Sequence, residues 1–312
     1  MKILITGGTG FIGSNLTNEL VKDNHNIVLL IRNDSKLSNI QDLNLVTIDY
    51  VDVTNSKKLE QSIIFHKPDI IFHLAGETSH SKSFENPLYD LEVNTKSTLT
   101  ILETIRKNNI QCKFFLGSTF IVIGKPNQLP VDETSICKPT TLYGSNRLTS
   151  ESYCWVYYNL YGIDTVVFRI TNCFGPLEQY KTPRKNALNY LIYQAHKGNS
   201  ISIYHKGEFF RDVIYITDVV KSLKLLMNKA NSGNLYWIAS GEKTWFRQIG
   251  EWLHELTNVQ VDYVESPEYT SKVDVGNFHV DNSKLRSLGW KSTVSAKEGI
   301  IKTLSFFDQN SL

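Results

Sequence analysis

Cysteine is scarce: four in 312 residues, at Cys112, Cys137, Cys154 and Cys173, with no C-x-x-C pair. That spacing argues against a zinc site, so no metal is expected, and the thiols read as reduced and mostly buried. A long apolar run is also missing. Nothing approaches the ~20 consecutive apolar residues of a membrane span. The chain opens directly on an apolar strand, without the charged-then-apolar pattern of a signal peptide, and a cytoplasmic location is expected. Neither sign of charge is in excess, since 33 Lys and Arg against 31 Asp and Glu leave +2. No basic stripe stands out, so neither a nucleic-acid nor a membrane partner is expected. Internal repeats and low-complexity linkers are lacking too.

What is present describes a soluble globular protein. Apolar residues make up 41% and charged ones 21%, a composition that builds a core without staples. Met1-Lys2-Ile3-Leu4-Ile5-Thr6 reads as a strand. Gly7-Gly8-Thr9-Gly10-Phe11-Ile12-Gly13 follows, and Ser14-Asn15-Leu16 opens an amphipathic helix. Bare backbone at a strand-to-helix turn lets a pyrophosphate sit on free N–H groups at the positive end of the helix. This stretch predicts a nucleotide-cofactor site.

Further apolar strands read as Ile27–Ile31, Leu45–Ile48, Asp69–Ala75, Phe114–Thr119 and Asp164–Ile170. Helices alternate with them over Ser56–His66, Leu88–Lys107 and Tyr143–Tyr161. Such alternation predicts an α/β fold, a Rossmann-type doubly wound parallel sheet that binds ligand at the carboxyl ends of its strands. Past residue 171 the pattern loosens, with helices at Ala187–Lys197, Ile216–Lys229, Phe246–Thr257 and Ala296–Phe307 and a strand at Ile201–Tyr204. The expected division is a dinucleotide-binding domain over 1–170 and a smaller, interleaved substrate lobe over 171–312.

Tyr143 and Arg147 stand four apart on a predicted helix and so share a face. A free tyrosine titrates near ~10, and a fixed cation beside it favours the phenolate. Thr119 ends the preceding strand, where its hydroxyl can meet the same substrate oxygen. A hydroxyl donor, a phenol and a dinucleotide site together describe hydride transfer to or from a carbonyl.

This set resembles the extended short-chain dehydrogenase/reductase family of nucleotide-sugar epimerases, dehydratases and reductases, nearly end to end. His73-Leu74-Ala75-Gly76 is similar to the family's strand end under the cofactor. Asn86-Pro87 with Asn94-Thr95 is similar to its N-P…N-x-x-G helix, with Ser97 in place of the usual glycine. Arg169 to Pro176 resembles R-x-x-N-x-Y-G-P, Arg211 to Val219 resembles R-D-x-x-Y-V-x-D-V, and Asp281 to Trp290 the closing D-x-S-K…L-G-W. The resemblance implies a cofactor site of Gly7, Gly10, Phe11, Ile12, Gly13, Arg32, Asp52, Val53, Leu74, Ala75, Gly76, Asn94, Tyr143 and Arg147. It implies catalysis by Thr119, Tyr143 and Arg147, and a nucleoside-diphosphate sugar held by Ser83, Thr119, Asn172, Arg211 and Asp274. The long helices around Leu88–Lys107 and Tyr143–Tyr161 form the dimer bundle of relatives. Tyr153, Trp155, Tyr157 and Tyr158 on the second favour a homodimer.

Four departures from the family pattern matter. Arg147 replaces the usual lysine and cannot join a proton relay. Ser271 stands where an arginine is expected three residues before Asp274, with Lys272 as a substitute. Ile31-Arg32 replaces an acidic strand end, and an arginine there accommodates a ribose 2′-phosphate, with Ser35 and Lys36 to assist. Phe120-Ile121 follows Thr119 where the 4,6-dehydratases carry Asp-Glu. A dehydratase is therefore disfavoured, and NADP(H) is favoured over NAD(H). The reading this supports first is an NADP(H)-dependent reductase of a 4-keto sugar nucleotide. A 4-epimerase or C4 dehydrogenase with tightly bound NAD(H) is the alternative, and a non-catalytic dinucleotide sensor a lesser one.

Overall fold

The computed structural model describes residues 1–78, 80–183, 186–266 and 274–310, and of residues 80–82 the backbone alone. Seven parallel strands form its central sheet: β1 (Lys2–Thr6), β2 (Asn26–Ile31), β3 (Val46–Tyr50), β4 (Ile70–His73), β5 (Lys113–Thr119), β6 (Thr165–Ile170) and β11 (Asn234–Ile238). Their order is β11-β6-β5-β4-β1-β2-β3, so the order reverses between β1 and β4, where a crevice opens at the strand ends. Alternate residues feed two cores: Ile3 and Ile5 of β1 face one, Leu4 the other. The first core is closed by helices α1 (Phe11–Lys22) and α8 (Ile216–Lys229). The second is closed by α2 (Ser56–His66), α5 (Ser97–Lys107) and α6 (Leu142–Tyr161). Strands apolar on both faces are what a doubly covered parallel sheet demands.

Several elements differ from the sequence reading, each for a local reason. Helix α1 starts at Phe11, because Gly10 at φ −74°, ψ 178° is its N-cap. Strand β11 lies far along the chain yet pairs with β6 from Asn234↔Val166 to Ile238↔Ile170. The second half of the chain therefore contributes to the first half's sheet. The single helix expected over Leu88–Lys107 is three pieces: α4 (Pro87–Leu91), a π-turn (Glu92–Lys96) and α5. A π-turn leaves the apolar spacing on either side of it helical, so periodicity does not reveal it. Of the aromatics read as surface on α6, only Trp155 is exposed. Tyr157 turns inward and donates its hydroxyl to Glu103 at 2.6 Å. Cys173 packs in the first core, and all four cysteines are free.

The remaining elements build a lobe over the carboxyl ends. Short two-stranded sheets join β7 (Asn172–Phe174) with β10 (Val213–Tyr215), β8 (Ile201–Ile203) with β13 (Val261–Tyr263), and β9 (Phe210–Arg211) with β12 (Thr244–Trp245). Helices α7 (Ala187–His196) and α9 (Phe246–Thr257) pack around them. Asp212 fastens this lobe to the sheet: its buried carboxyl accepts Ser240 N–H and Oγ–H at 2.8 Å and Gly241 N–H at 3.1 Å, just past β11. Burial pushes that carboxyl up to about 6 despite the bonds.

Candidate active site

Two cavities lie at the strand ends. The first, ≈ 220 Å³, runs along the β1–α1 turn and across the ends of β2, β3 and β4. Of the expected cofactor residues, Gly7, Gly10, Arg32, Asp52, Val53, Leu74, Ala75 and Gly76 line it together. Phe11, Ile12 and Gly13 form the first turn of α1 beside it. Gly7 sits at φ +70°, and a Cβ there would lie 2.8 Å from Ala75 N. A Cβ on Gly13 would run into Gly7 O. Those glycines bring three backbone segments together as no side-chain-bearing residue can.

Arg32 is half-exposed on the rim, Nε 3.3 Å from Asp34 and Nη1 3.5 Å from the Tyr89 hydroxyl. Ser35 Oγ accepts the Arg32 N–H at 3.1 Å and lines the same cavity. Tyr89 and Glu77 also line it. The sequence reading missed both. Tyr89 comes right after the Asn86-Pro87 motif, whose Asn caps α4 and sets the direction of that turn.

At the inner end, Arg147 is 3% exposed and donates from Nη2 to Ala75 O at 2.8 Å. Its Nε and Nη1 are buried with no partner, as is Asn94 Oδ1. A Cβ on Gly76 would collide with the Arg147 guanidinium and fall 2.8 Å from Asn94 Oδ1. Buried polar atoms without partners are costly unless a ligand satisfies them. The guanidinium and the Asn94 amide both close on Gly76, which lines the cleft, and their two unmet donors and one unmet acceptor suit the polar edge of a dinucleotide. The residues present thus suit the cofactor that the first thirteen positions call for.

Thr119 ends β5, 9% exposed, its Oγ1 accepting the Ile121 N–H at 3.3 Å. Tyr143 is 7% exposed at the start of α6, whose N-cap Thr141 accepts Gly144 N–H at 3.1 Å. Gly144 is pressed on Ile121, where a Cβ would meet Ile121 O at 3.1 Å, so the starts of α6 and of the post-Thr119 turn are in contact. Ser118, next to Thr119, donates to Glu151 Oε1 on α6. Glu151 in turn pairs with Arg169 on β6 at 2.7 Å. The sequence pattern gave Glu151 no role, although Tyr143, Arg147 and Glu151 recur at i, i+4 and i+8.

The second cavity, ≈ 540 Å³, is lined by Phe120, Ile121, Asn172, Arg211 and Asp274 with an aromatic rim of Tyr190, Tyr204, Phe209 and Phe246. Asn172, Arg211 and Asp274 therefore come together as expected. Arg211 is 7% exposed; Nη2 pairs with Asp274, Nη1 donates to Phe210 O at 3.3 Å and to Gly276 O, and its carbon lies 4.8 Å over the Phe209 ring. Burial lowers its pKa while Asp274 raises it. His205 lines the cavity too, at φ +50°, Nε2 3.5 Å from Asp274. Ser83 and Thr119, the other two expected substrate residues, line neither cavity; Thr119 immediately precedes Phe120 of the second, whereas Ser83 is wholly buried in the short helix His80–Glu85. Ser271 and Lys272 lie outside the described residues.

With that geometry in hand, the chain was compared with known proteins. The model of the NAD dependent epimerase/dehydratase family matches residues 3–239. A putative UDP-glucose 4-epimerase of Methanocaldococcus jannaschii is 30% identical over 99% of both chains. The dTDP-glucose 4,6-dehydratase of Salmonella typhimurium is 29% identical over 99% of this chain and 93% of its own. In structure, the UDP-glucose 4-epimerase of Thermotoga maritima, crystallised with UDP-glucose, superposes with a TM-score of 0.92 over 100% of both chains at 27% identity.

Proposed function

The chain belongs to the NAD-dependent epimerase/dehydratase family, and within it we propose that the protein inverts the C4 hydroxyl of a nucleoside-diphosphate sugar with tightly held NAD. The observation that carries this reading is the pair Phe120-Ile121, which lines the second cavity immediately after Thr119. Expelling water from C5–C6 needs an acid and a base beside the reacting hydroxyl, and neither side chain can be one. Inversion at C4 needs only a phenol, a hydroxyl and a hydride carrier. The relatives named as 4-epimerases also favour this reading over the reductase.

Bound NAD supplies the acceptor and donor of hydride. Gly7, Gly10 and Gly13 shape the turn that receives its pyrophosphate, and the unpartnered Nε and Nη1 of Arg147 with Asn94 Oδ1 hold its inner ribose. Tyr143 takes the proton from the C4 hydroxyl and later returns it, while Thr119 fixes that oxygen by a hydrogen bond. Arg147 acts as a fixed positive charge and moves no proton. Asn172 and Arg211 hold the diphosphate, Arg211 in place of its contact with Asp274. The aromatic rim offers the base a face to stack on.

The reductase remains a second reading for one reason: Arg32 is a cation at the cavity rim where a 2′-phosphate would lie. Its ion pair with Asp34 argues the other way. The test is to purify the protein, extract any bound nucleotide, and supply UDP-glucose without added cofactor. UDP-galactose with stoichiometric NAD(H) supports the epimerase. Reduction of a 4-keto sugar nucleotide that requires added NADPH replaces it. The same reading includes a homodimer through α4 and α6, supported by the exposure of Leu88, Leu91, Trp155 and Leu160 on those two helices.

A further inference from the structure

Between the cofactor turn and the π-turn runs a buried chain of hydrogen bonds that the proposed chemistry does not use. Ser97, 1% exposed, donates to Val93 O at 2.5 Å. Its hydroxyl hydrogen is thereby committed, so toward His73 Nε2, 3.0 Å away, its oxygen accepts. His73 is wholly buried and carries its one proton on Nε2, so Nδ1 accepts from Thr6 Oγ1 at 2.7 Å. Thr6 in turn accepts the Ala75 N–H at 3.2 Å. The other end of Ala75, its carbonyl, receives Arg147 Nη2. The donor directions are fixed in turn from the π-turn as far as Thr6, and the Ala75 N–H and the guanidinium, which only donate, complete the chain.

The π-turn has its own reason to be there. Lengthening one turn frees carbonyls from the regular ladder. Val93 O is taken by Ser97 and Asn94 O by Ser150 Oγ at 2.6 Å, from α6 between Arg147 and Glu151. Thr95 Oγ1 donates to Asn146 O at 3.0 Å, one residue before Arg147. Asn94 Nδ2 is held by Glu77 O at 3.1 Å, which turns its unpartnered Oδ1 toward Gly76 and the guanidinium. Arginine has more reach and more donors than one carbonyl can restrain, so its direction must be set by what it is bonded to.

We propose that Ser97 and His73 are positioning residues that aim the free Nε and Nη1 of Arg147 at the dinucleotide, acting through Thr6 and the peptide of Ala75. The proposal rests on the reading that Arg147 faces bound NAD. It gives the serine at position 97 a purpose that a glycine could not serve, because glycine has no hydroxyl to relay the imidazole to the π-turn.

The experiment is a double-mutant cycle read by NADH binding, followed by fluorescence on protein stripped of nucleotide. Ser97→Ala should weaken NADH roughly fivefold in the parent but less than about twofold in an Arg147→Met background. Ser97→Thr should restore the affinity. Thr6→Val cuts the chain at its other end and serves if Ser97→Ala fails to fold. In the parent, ¹⁵N spectra should show His73 as the Nε2–H tautomer. Equal losses in both backgrounds, or a lowered Tm with unchanged NADH affinity, would overturn the positioning role while leaving the cofactor reading intact. If Arg147→Met itself leaves NADH binding unchanged, both readings fall.

Discussion

Glu151 accepts Arg169 Nη2 at 2.7 Å and Nε at 3.0 Å, with the two side chains 7% and 5% exposed, directly behind the strand end that carries Thr119. The pair spans α6 and β6, and Ser118 on β5 closes it. It is the polar bolt between the helix of Tyr143 and the strand of Thr119.

Breaking that bolt on one side should be expensive. Glu151→Gln leaves a buried guanidinium without its counter-charge, which costs about 3–5 kcal/mol in comparable pairs. Replacing both partners by methionine should cost far less, since no charge is then stranded. Urea denaturation checks this. A Glu151→Gln protein within 1 kcal/mol of the parent, in the sense of a negligible effect, would show that the ion pair is not held apart from water.

Acid sensitivity should trace to His73. Burial first, and the Arg147 charge second, lower it from 6.5 to about 3. The unfolded chain therefore binds a proton at a pH where the folded one does not. Stability from this group is present above 6.5 and is lost as pH falls from there toward about 3. In His73→Gln the fall in Tm between pH 6.5 and pH 5 (about one and a half units below the ordinary titration) should be shallower than in the parent. Identical slopes would refute the assignment.

In the proposed mechanism Tyr143 carries the proton to and from the C4 oxygen, and Tyr143→Phe removes that carrier. Turnover should drop roughly 10²–10⁴-fold with little change in the KM for the sugar nucleotide. A variant with parental kcat would mean that another group is the acid.

Among the described residues, Arg211 is the one arginine or lysine that lines the second cavity. Arg211→Met should weaken a nucleoside diphosphate by roughly 10–100-fold and the free nucleoside hardly at all, the size of a charged hydrogen-bond pair. Calorimetric titration with both ligands decides, and equal losses for the two would place Arg211 elsewhere than at the phosphates.

How far the sequence could carry these conclusions depended on whether local pattern determined them. The helices Ser56–His66, Ile216–Lys229 and Phe246–Thr257 are legible to the residue, because caps and apolar spacing are local. The glycine turn and the Tyr143–Arg147 face are legible for the same reason. Strand β11 is not, since its place beside β6 is set by a partner over sixty positions away in the chain. Nor is the Arg211–Asp274 pair, which closes only when β9 folds against the segment after residue 274. Ser97 was visible as an unusual residue. Its meaning needed the tertiary fold, because the partner that reaches it, His73, lies on β4, 24 positions earlier in the chain.

Arg147→Lys tests whether the arginine is a substitute or a specialisation. The guanidinium commits Nη2 to Ala75 O and leaves Nε and Nη1 without a partner, the two nitrogens proposed to hold the cofactor. A lysine has a single nitrogen on a flexible stem, so it must share its three donors from one point. Binding of NAD(H) should therefore weaken by a few-fold, since roughly one charge-assisted hydrogen bond is lost. Turnover should hold or rise, because an ammonium can pass a proton where a guanidinium cannot. The expected signature is a split: more cofactor lost on gel filtration, with kcat at saturating NAD equal to or above the parent's. A collapse of kcat with cofactor fully retained would show instead that the shape of the guanidinium, beyond its charge, is required beside Tyr143.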